Sequence, residues 1–412
     1  MFLSRSNKKS SVPRSSAIIR GIKKRPLGRI IWLALFIVIL PVFAGCGVQL
    51  NPEGGWSGVV QSDINEGEIY FGSLEGRLLA LDKDGSFLWS FPPPEEDRLS
   101  VIYSTPDSDK SSGLIYVADL NTTRGNGTIY AIYGDDSSQT GKVAWQRDLE
   151  ATVVGGITVV SDNAAQTPRF PPIVLVGTSD NKLHALTADT GNPFWTEPFI
   201  ANGPIWSTPA VDIASIEPKI YIGSLDHSIY SLLLSTGDLV WEFQTGAGVT
   251  SSPLVSDGKV YVGSFDRNLY AIDTKTGLEE WRFTAENWFW GGAISDGERI
   301  YAGSLDGRLY ALDAHSGVKW WDYSTEGPIV STPVFVEGHG VVVASLDKSV
   351  YLLDSDSGVE VWSRNIGGQV FAPLYSSESR VYFPTLDHTL WALDIPGRKQ
   401  AWTLDTETLV NR

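Results

Sequence analysis

The sequence has 412 residues, 42% hydrophobic and 11% aromatic, which is ample for a large core and excludes bulk disorder. Charge is segregated: the first 45 residues carry nine basic groups and no acid, which leaves 23 basic against 48 acidic groups, a net charge of −25, over the rest. So acidic a body repels phosphate backbones and speaks against nucleic-acid binding, and a single cysteine, Cys46, excludes an intrachain disulfide.

In chain order, the basic run is followed by an apolar segment of 14 residues, 30–43, that ends in Phe43-Ala44-Gly45-Cys46. A bilayer span takes about 20 residues, so the segment suits the core of a secretory signal. Small residues followed by cysteine resemble the lipobox of bacterial lipoproteins, with Phe43 in place of the usual leucine. That resemblance implies a signal peptide over 1–45, lipidation of Cys46 and a tether over 46–55. Gly47 after the cysteine is permissive for an outer-membrane destination. Ten residues of tether reach roughly 35 Å at full stretch, which keeps the body near a lipid surface.

From residue 56 onward the chain repeats itself. The clearest unit is 260–283, VYVGSFDRNLYAIDTKTGLEEWRF, where alternation of period two marks half-buried strands. Asp266-Arg267-Asn268 supplies one hairpin turn, and Thr276-Gly277 a second that needs positive φ. Copies start at Ile300, Val341, Ile220 and Val174, and looser ones at Ile69, Ile115 and Val381. Each closes on a tryptophan: Trp89, Trp145, Trp195, Trp241, Trp281, Trp321, Trp362 and Trp402. A further strand precedes each unit, at motifs such as Trp206-Ser-Thr-Pro and Trp290-Gly-Gly-Ala. Four antiparallel strands in about 40 residues, repeated eight times, predict an all-β, eight-bladed β-propeller over 56–412. Closing the ring hides the sheet edges, with no need for a swapped strand.

The run Ala271-x-Asp273-x-x-Thr276-Gly277-x-x-x-Trp281 resembles the tryptophan-docking repeat of PQQ-like propellers, and Ala311, Gly317 and Trp321 match it again. The resemblance implies that the eight repeat tryptophans pack across to neighbouring blades and hold the ring together. Quinone-dependent enzymes of this fold use a vicinal disulfide and a calcium ion. With Cys46 alone, PQQ-dependent oxidoreductase chemistry is disfavoured, and neither cofactor nor metal is expected. Asp226, Asp266, Asp306, Asp347 and Asp387 recur in the hairpin turns, where Asp serves the backbone. The five histidines, His184, His227, His315, His339 and His388, are scattered over the repeats and advertise no zinc site or catalytic triad.

One aromatic pattern stands apart from the repeat. Trp56, Tyr103, Trp206 and Trp290 share a phase just ahead of the first strand and are expected to gather at one mouth of the central channel, with Trp288 and Phe289 at its rim. Inter-blade packing explains such residues, and so does a recognition surface, because aromatics dominate binding hot spots. Extra segments at 92–99, 121–127, 135–139 and 161–172 read either as loops that build partner surfaces or as tolerated insertions. A lone propeller on a lipidated cysteine resembles the BamB-type outer-membrane assembly lipoproteins. This implies a monomeric, non-catalytic scaffold that engages a β-barrel insertase and its clients, through pairing of strand edges with extended chains. The alternative is a cell-surface receptor or sensor that takes a peptide or glycan at the aromatic mouth.

Overall fold

The computed structural model describes residues 57–61, 67–109, 111–120, 126–134, 138–162 and 168–410. Within the unit Glu53–Arg412, eight four-stranded antiparallel sheets, each of four consecutive strands, form the blades of a ring. The blades span 59–91, 107–148, 158–200, 210–244, 254–284, 294–324, 334–365 and 375–405. No strand is exchanged between the first and last sheets. A short helix, Thr406–Val410, ends the last blade, and Asp405 starts it by accepting the Thr408 amide at 3.0 Å. Among the described residues no helix is long and apolar enough to cross a membrane.

The core lies between the sheets. Each of eight buried clusters joins one pair of neighbouring blades, and the cluster of Val59, Ile69, Phe71 and Leu81 with Tyr382, Leu390 and Ala392 closes the ring. In blade five, Val260 and Val262 face blade four while Tyr261 faces blade six. Sequence alternation predicts half-buried strands here. Strand two, Lys259–Gly263, is instead buried throughout, because each face meets a different neighbour and both must be apolar. Only the outer strand alternates between water and core, as Glu279–Thr284 does.

A β-bulge shapes each outer strand except that of blade three. In blade five Ala271 pairs with Trp281 but Ile272 with Glu279, so Glu280 is left over. Such a bulge twists the strand and re-aims its side chains, here turning the indole of Trp281 into the seam with blade six. There the tryptophan packs on a tyrosine of its own blade, Tyr261, with ring centroids 5.7 Å apart. Both rings donate to one carbonyl of the next blade's turn: the Tyr261 hydroxyl at 2.9 Å and Trp281 Nε1 at 3.2 Å reach the Ala314 oxygen. The pattern repeats with Tyr116 and Trp145 on the Ala188 oxygen and with Tyr301 and Trp321 on the Ser355 oxygen. Trp195, Trp241 and Trp402 donate likewise to Leu234, Thr274 and Lys83.

The glycine of the turn is required twice over. Gly277 has φ +72°, and a Cβ there would lie 2.6 Å from Cγ of Trp241. Gly85, Gly191, Gly237, Gly317 and Gly358 are seated in the same way against the indole of the preceding blade. Blade eight departs from this. Arg398, at φ +49°, stands in the glycine position, and its amide takes the Ile395 carbonyl at 3.1 Å, the equivalent of the acceptor in other turns. Trp362 therefore packs half-buried in its seam, and among the described residues it makes no hydrogen bond to the next blade.

Candidate functional site

The end of the ring that carries the hairpins between strands two and three also carries the linkers into strand one. Hydroxyl groups tie this axial end together. Gly58 donates to Thr105 Oγ1 at 3.1 Å, Gly156 to Thr208 Oγ1 at 2.9 Å, Thr208 to Ser252 Oγ at 3.1 Å and Gly292 to Thr332 Oγ1 at 2.9 Å, each across one seam. Glycine and threonine alternate for a steric reason: a Cβ at Gly58 or Gly156 would come within 2.5 Å of the neighbouring hydroxyl. The recurring Ser-Thr-Pro and Gly-Gly motifs of the sequence encode this collar.

The hairpin acids brace the same end. The Tyr270 hydroxyl donates to Asp266 Oδ2 at 2.6 Å, and the Gly246 amide, from the linker of the preceding blade, donates to the same oxygen at 2.6 Å. Asp226, Asp306 and Asp347 repeat both contacts with Tyr230, Tyr310 and Tyr351 and with the amides of Asn202, Glu286 and Glu326. Asp387 accepts the hydroxyl of Thr385. Burial and the adjacent carboxylate push the Tyr270 hydroxyl up to about 12. These carboxylates are occupied by the fold.

Above the collar lies an apolar strip that crosses blades four to six. Phe265, in the hairpin of blade five, stacks on Trp288 at 4.8 Å and on Trp290 at 5.2 Å, with 24° between planes in both pairs. Gly248 fits between Leu225 and Phe265, since a Cβ on it would lie 3.0 Å from Leu225 and 3.5 Å from Phe265. Leu225, Phe265, Trp288, Trp290 and Trp206 are all half-buried. Trp288 and Trp290 are thus brought together through Phe265. Tyr103 sits deeper, 6% exposed, and Phe289 turns away from the rim into the blade five–six core, against Tyr310 and Gly263. Trp56 and Cys46 lie outside the described residues.

Two parts of this end escape a motif search. Phe265 reads as one more hairpin residue, its signal being only that the repeats Gly-Ser-Leu-Asp become Gly-Ser-Phe-Asp once. Arg77, 3% exposed, folds the 92–99 loop over blade one, donating to the carbonyls of Pro92, Pro93, Pro94 and Glu96. Burial lowers its basicity from the ordinary value. Of the histidines, His388 Nδ1 meets Glu75 Oε1 at 2.6 Å across the closing seam. His184 occupies the position of Tyr230 and Tyr270, and burial depresses it to about 4. Among the described residues no three of His, Cys, Asp or Glu are placed to hold a metal ion.

A family model described as the beta-propeller of the beta-alanine-activating enzyme matches residues 170–411. A second, described as outer membrane protein assembly factor BamB, matches residues 25–205. Among solved structures the chain is similar to BamB from Moraxella catarrhalis, with 19% identity, 80% of this chain and 94% of that chain covered, and a TM-score of 0.62. It is also similar to the computationally designed Ika8 protein, with 15% identity, 83% and 98% covered, and a TM-score of 0.65. Comparison with proteins of curated function returns no match. At these identities the structures speak for the fold alone, whereas the first family model spans more than half of the sequence. The chain therefore belongs to the PQQ-like β-propellers, in the family described as the beta-propeller of the beta-alanine-activating enzyme, and it resembles BamB.

Proposed function

We propose that this chain is a lipid-anchored, extracytoplasmic scaffold of a bacterial envelope that binds a protein partner at the aromatic end of the propeller. The observation that carries the reading is the half-buried strip of Leu225, Phe265, Trp288 and Trp290. Rigid, partly exposed aromatics are the side chains that dominate protein recognition, and this strip is fixed by the collar beneath it. Cys46, after a signal-like segment, supplies the anchor, and residues 46–55 the tether. BamB is described as an outer membrane protein assembly factor. By likeness to it, the partner is a β-barrel insertase with its unfolded clients, and the propeller is a monomer that performs no chemistry of its own.

The test is crosslinking in cells, followed by mass spectrometry of what the membrane-bound protein captures. Recovery of a β-barrel insertase, reduced about tenfold when Trp288 and Trp290 are both changed to alanine, supports the reading on the scale of a single hot spot. Capture of transporter or cell-wall components without a barrel protein sinks it in favour of a surface receptor. Equal capture by the double variant removes the strip from the interface.

A further inference from the structure

The bulge of the outer strand leaves one residue unpaired, and in blade six that residue is Trp320, between Lys319 and Trp321 in the ladder. Trp321 docks the blade, and Trp320 has no part in the ring. It is 48% exposed. A single exposed aromatic is ordinary, but the setting of this one is not. The Arg299 guanidinium covers it at 4.3 Å from the ring centroid, and Arg299 is only 8% exposed. Asp296 holds Arg299 at 2.9 Å and Asp356 at 2.6 Å, so the indole is pinned from one side.

Along Trp320, in the seam between blades five and six, opens a cleft of about 360 Å³ lined also by Asp257, Lys259, Glu298, Asp313 and His315. In the preceding seam Lys219, at the same repeat position, crosses to the Thr274 carbonyl at 3.2 Å. Lys259 turns instead to Glu280 of its own blade at 3.4 Å and lines the cleft. The cleft lies at the lower end of the range for small-ligand sites, roughly 300–1,000 Å³.

We propose that this cleft binds a neutral sugar, with Trp320 as the platform beneath the ring. A pyranose offers a face of C–H bonds to a fixed indole and a rim of hydroxyls to its surroundings. The carboxylates of Asp257 and Glu298 accept hydrogen bonds from those hydroxyls, and Lys259 and His315 donate to the sugar's oxygens, while Asp313 is held by the amides of His315 and Ser316. Three carboxylates repel an anionic ligand. A cation meets an indole whose quadrupole already serves Arg299. The site is separate from the aromatic end, so it stands or falls independently of the proposed scaffold role.

The experiment is saturation-transfer NMR on the full chain, purified in a zwitterionic detergent, with maltotriose and tri-N-acetylchitotriose as neutral probes and trilysine as a cationic one. The expected result is saturable binding of at least one trisaccharide, weakened about tenfold or more in Trp320→Ala. Trp320→Phe keeps most of the affinity, and Trp290→Ala leaves it unchanged. An unaltered urea midpoint for Trp320→Ala verifies that the fold is intact. The proposal is overturned if neither trisaccharide binds, if Trp320→Ala binds as tightly as the parent, or if trilysine alone binds.

Discussion

Two glycines with the same backbone angle separate the cost of a turn from the cost of losing a docked tryptophan. Gly258 and Gly277 both have φ +72°. A Cβ on Gly258 meets nothing within 4 Å, whereas one on Gly277 lies 2.6 Å from Cγ and 2.8 Å from Cδ2 of Trp241. Gly258→Ala therefore adds left-handed strain alone, about 1–2 kcal/mol. Gly277→Ala adds the same strain and also drives the indole out of its seat. Trp241 is 8% exposed and donates to the Thr274 carbonyl at 3.1 Å. Breaking that bond in a buried seam costs about 1–3 kcal/mol, before any loss of packing. The expected total is about 3–5 kcal/mol, so the two variants differ by about 2–3 kcal/mol. Urea unfolding, read as the shift in midpoint at unchanged slope, measures the difference. If the two substitutions shift the midpoint equally, the indole yields without penalty and the account of ring cohesion given above is wrong.

The remaining expectations rest on single contacts. Trp321→Ala should cost about 3–5 kcal/mol, in line with other buried aromatic truncations, and Trp362→Ala about half as much, since among the described residues Trp362 has no acceptor in blade eight; thermal or urea unfolding ranks them. His184 is neutral in the fold, held at about 4 by burial against 6.5 when unfolded. Its contribution is whole above pH 6.5 and declines as pH falls towards 4, because the unfolded chain then takes up a proton that the folded chain refuses. Between pH 7.5 and 5 the protein should lose about 2 kcal/mol that a His184→Phe variant retains, judged by urea midpoints at both pH values. Arg77→Met removes four bonds to the carbonyls of the 92–96 segment, so trypsin should cut after the exposed Arg98 about tenfold faster or more. Equal cleavage rates would mean that the loop is held by something other than Arg77.

The repeat was legible because each blade solves the same packing problem with the same residues. A seam needs an indole, a tyrosine beside it and a glycine opposite, and these recur at fixed offsets that a reader can count. The burial of both faces of strands two and three was less legible. Tyr261, Tyr301 and Tyr382 look like the polar members of an alternating pattern, yet each puts its ring into the next seam. The aromatic end was half legible: the phase of Trp206 and Trp290 is visible in sequence, but the stack depends on Phe265, which arrives from a different hairpin. Nothing in a linear pattern tells Phe289, which turns inward, from Trp288 and Trp290 on either side of it. Arg77 and Trp320 were illegible for a related reason. Each owes its setting to one local departure, an inserted loop or a lysine that turns aside, and a repeat pattern averages such departures away.

The seams on the two sides of blade eight show how a repeat protein ends. The linkers after blades three to six each donate an amide to the hairpin acid of the next blade, whereas after blade eight Thr406 begins a short helix. Blade one carries Glu75 where blades three to eight carry Asp, and the longer side chain reaches back to His388 Nδ1 at 2.6 Å and Thr406 Oγ1 at 3.3 Å. Arg380 adds a bond to Asp84, and Trp402 docks on Gly85 as Trp241 docks on Gly277. The closing seam thus keeps polar bonds through Glu75 and Arg380, while in the adjoining seven–eight seam Arg398 stands in place of glycine and takes the Ile395 carbonyl. The aromatic strip over blades four to six lies in the stretch where the repeat is most regular.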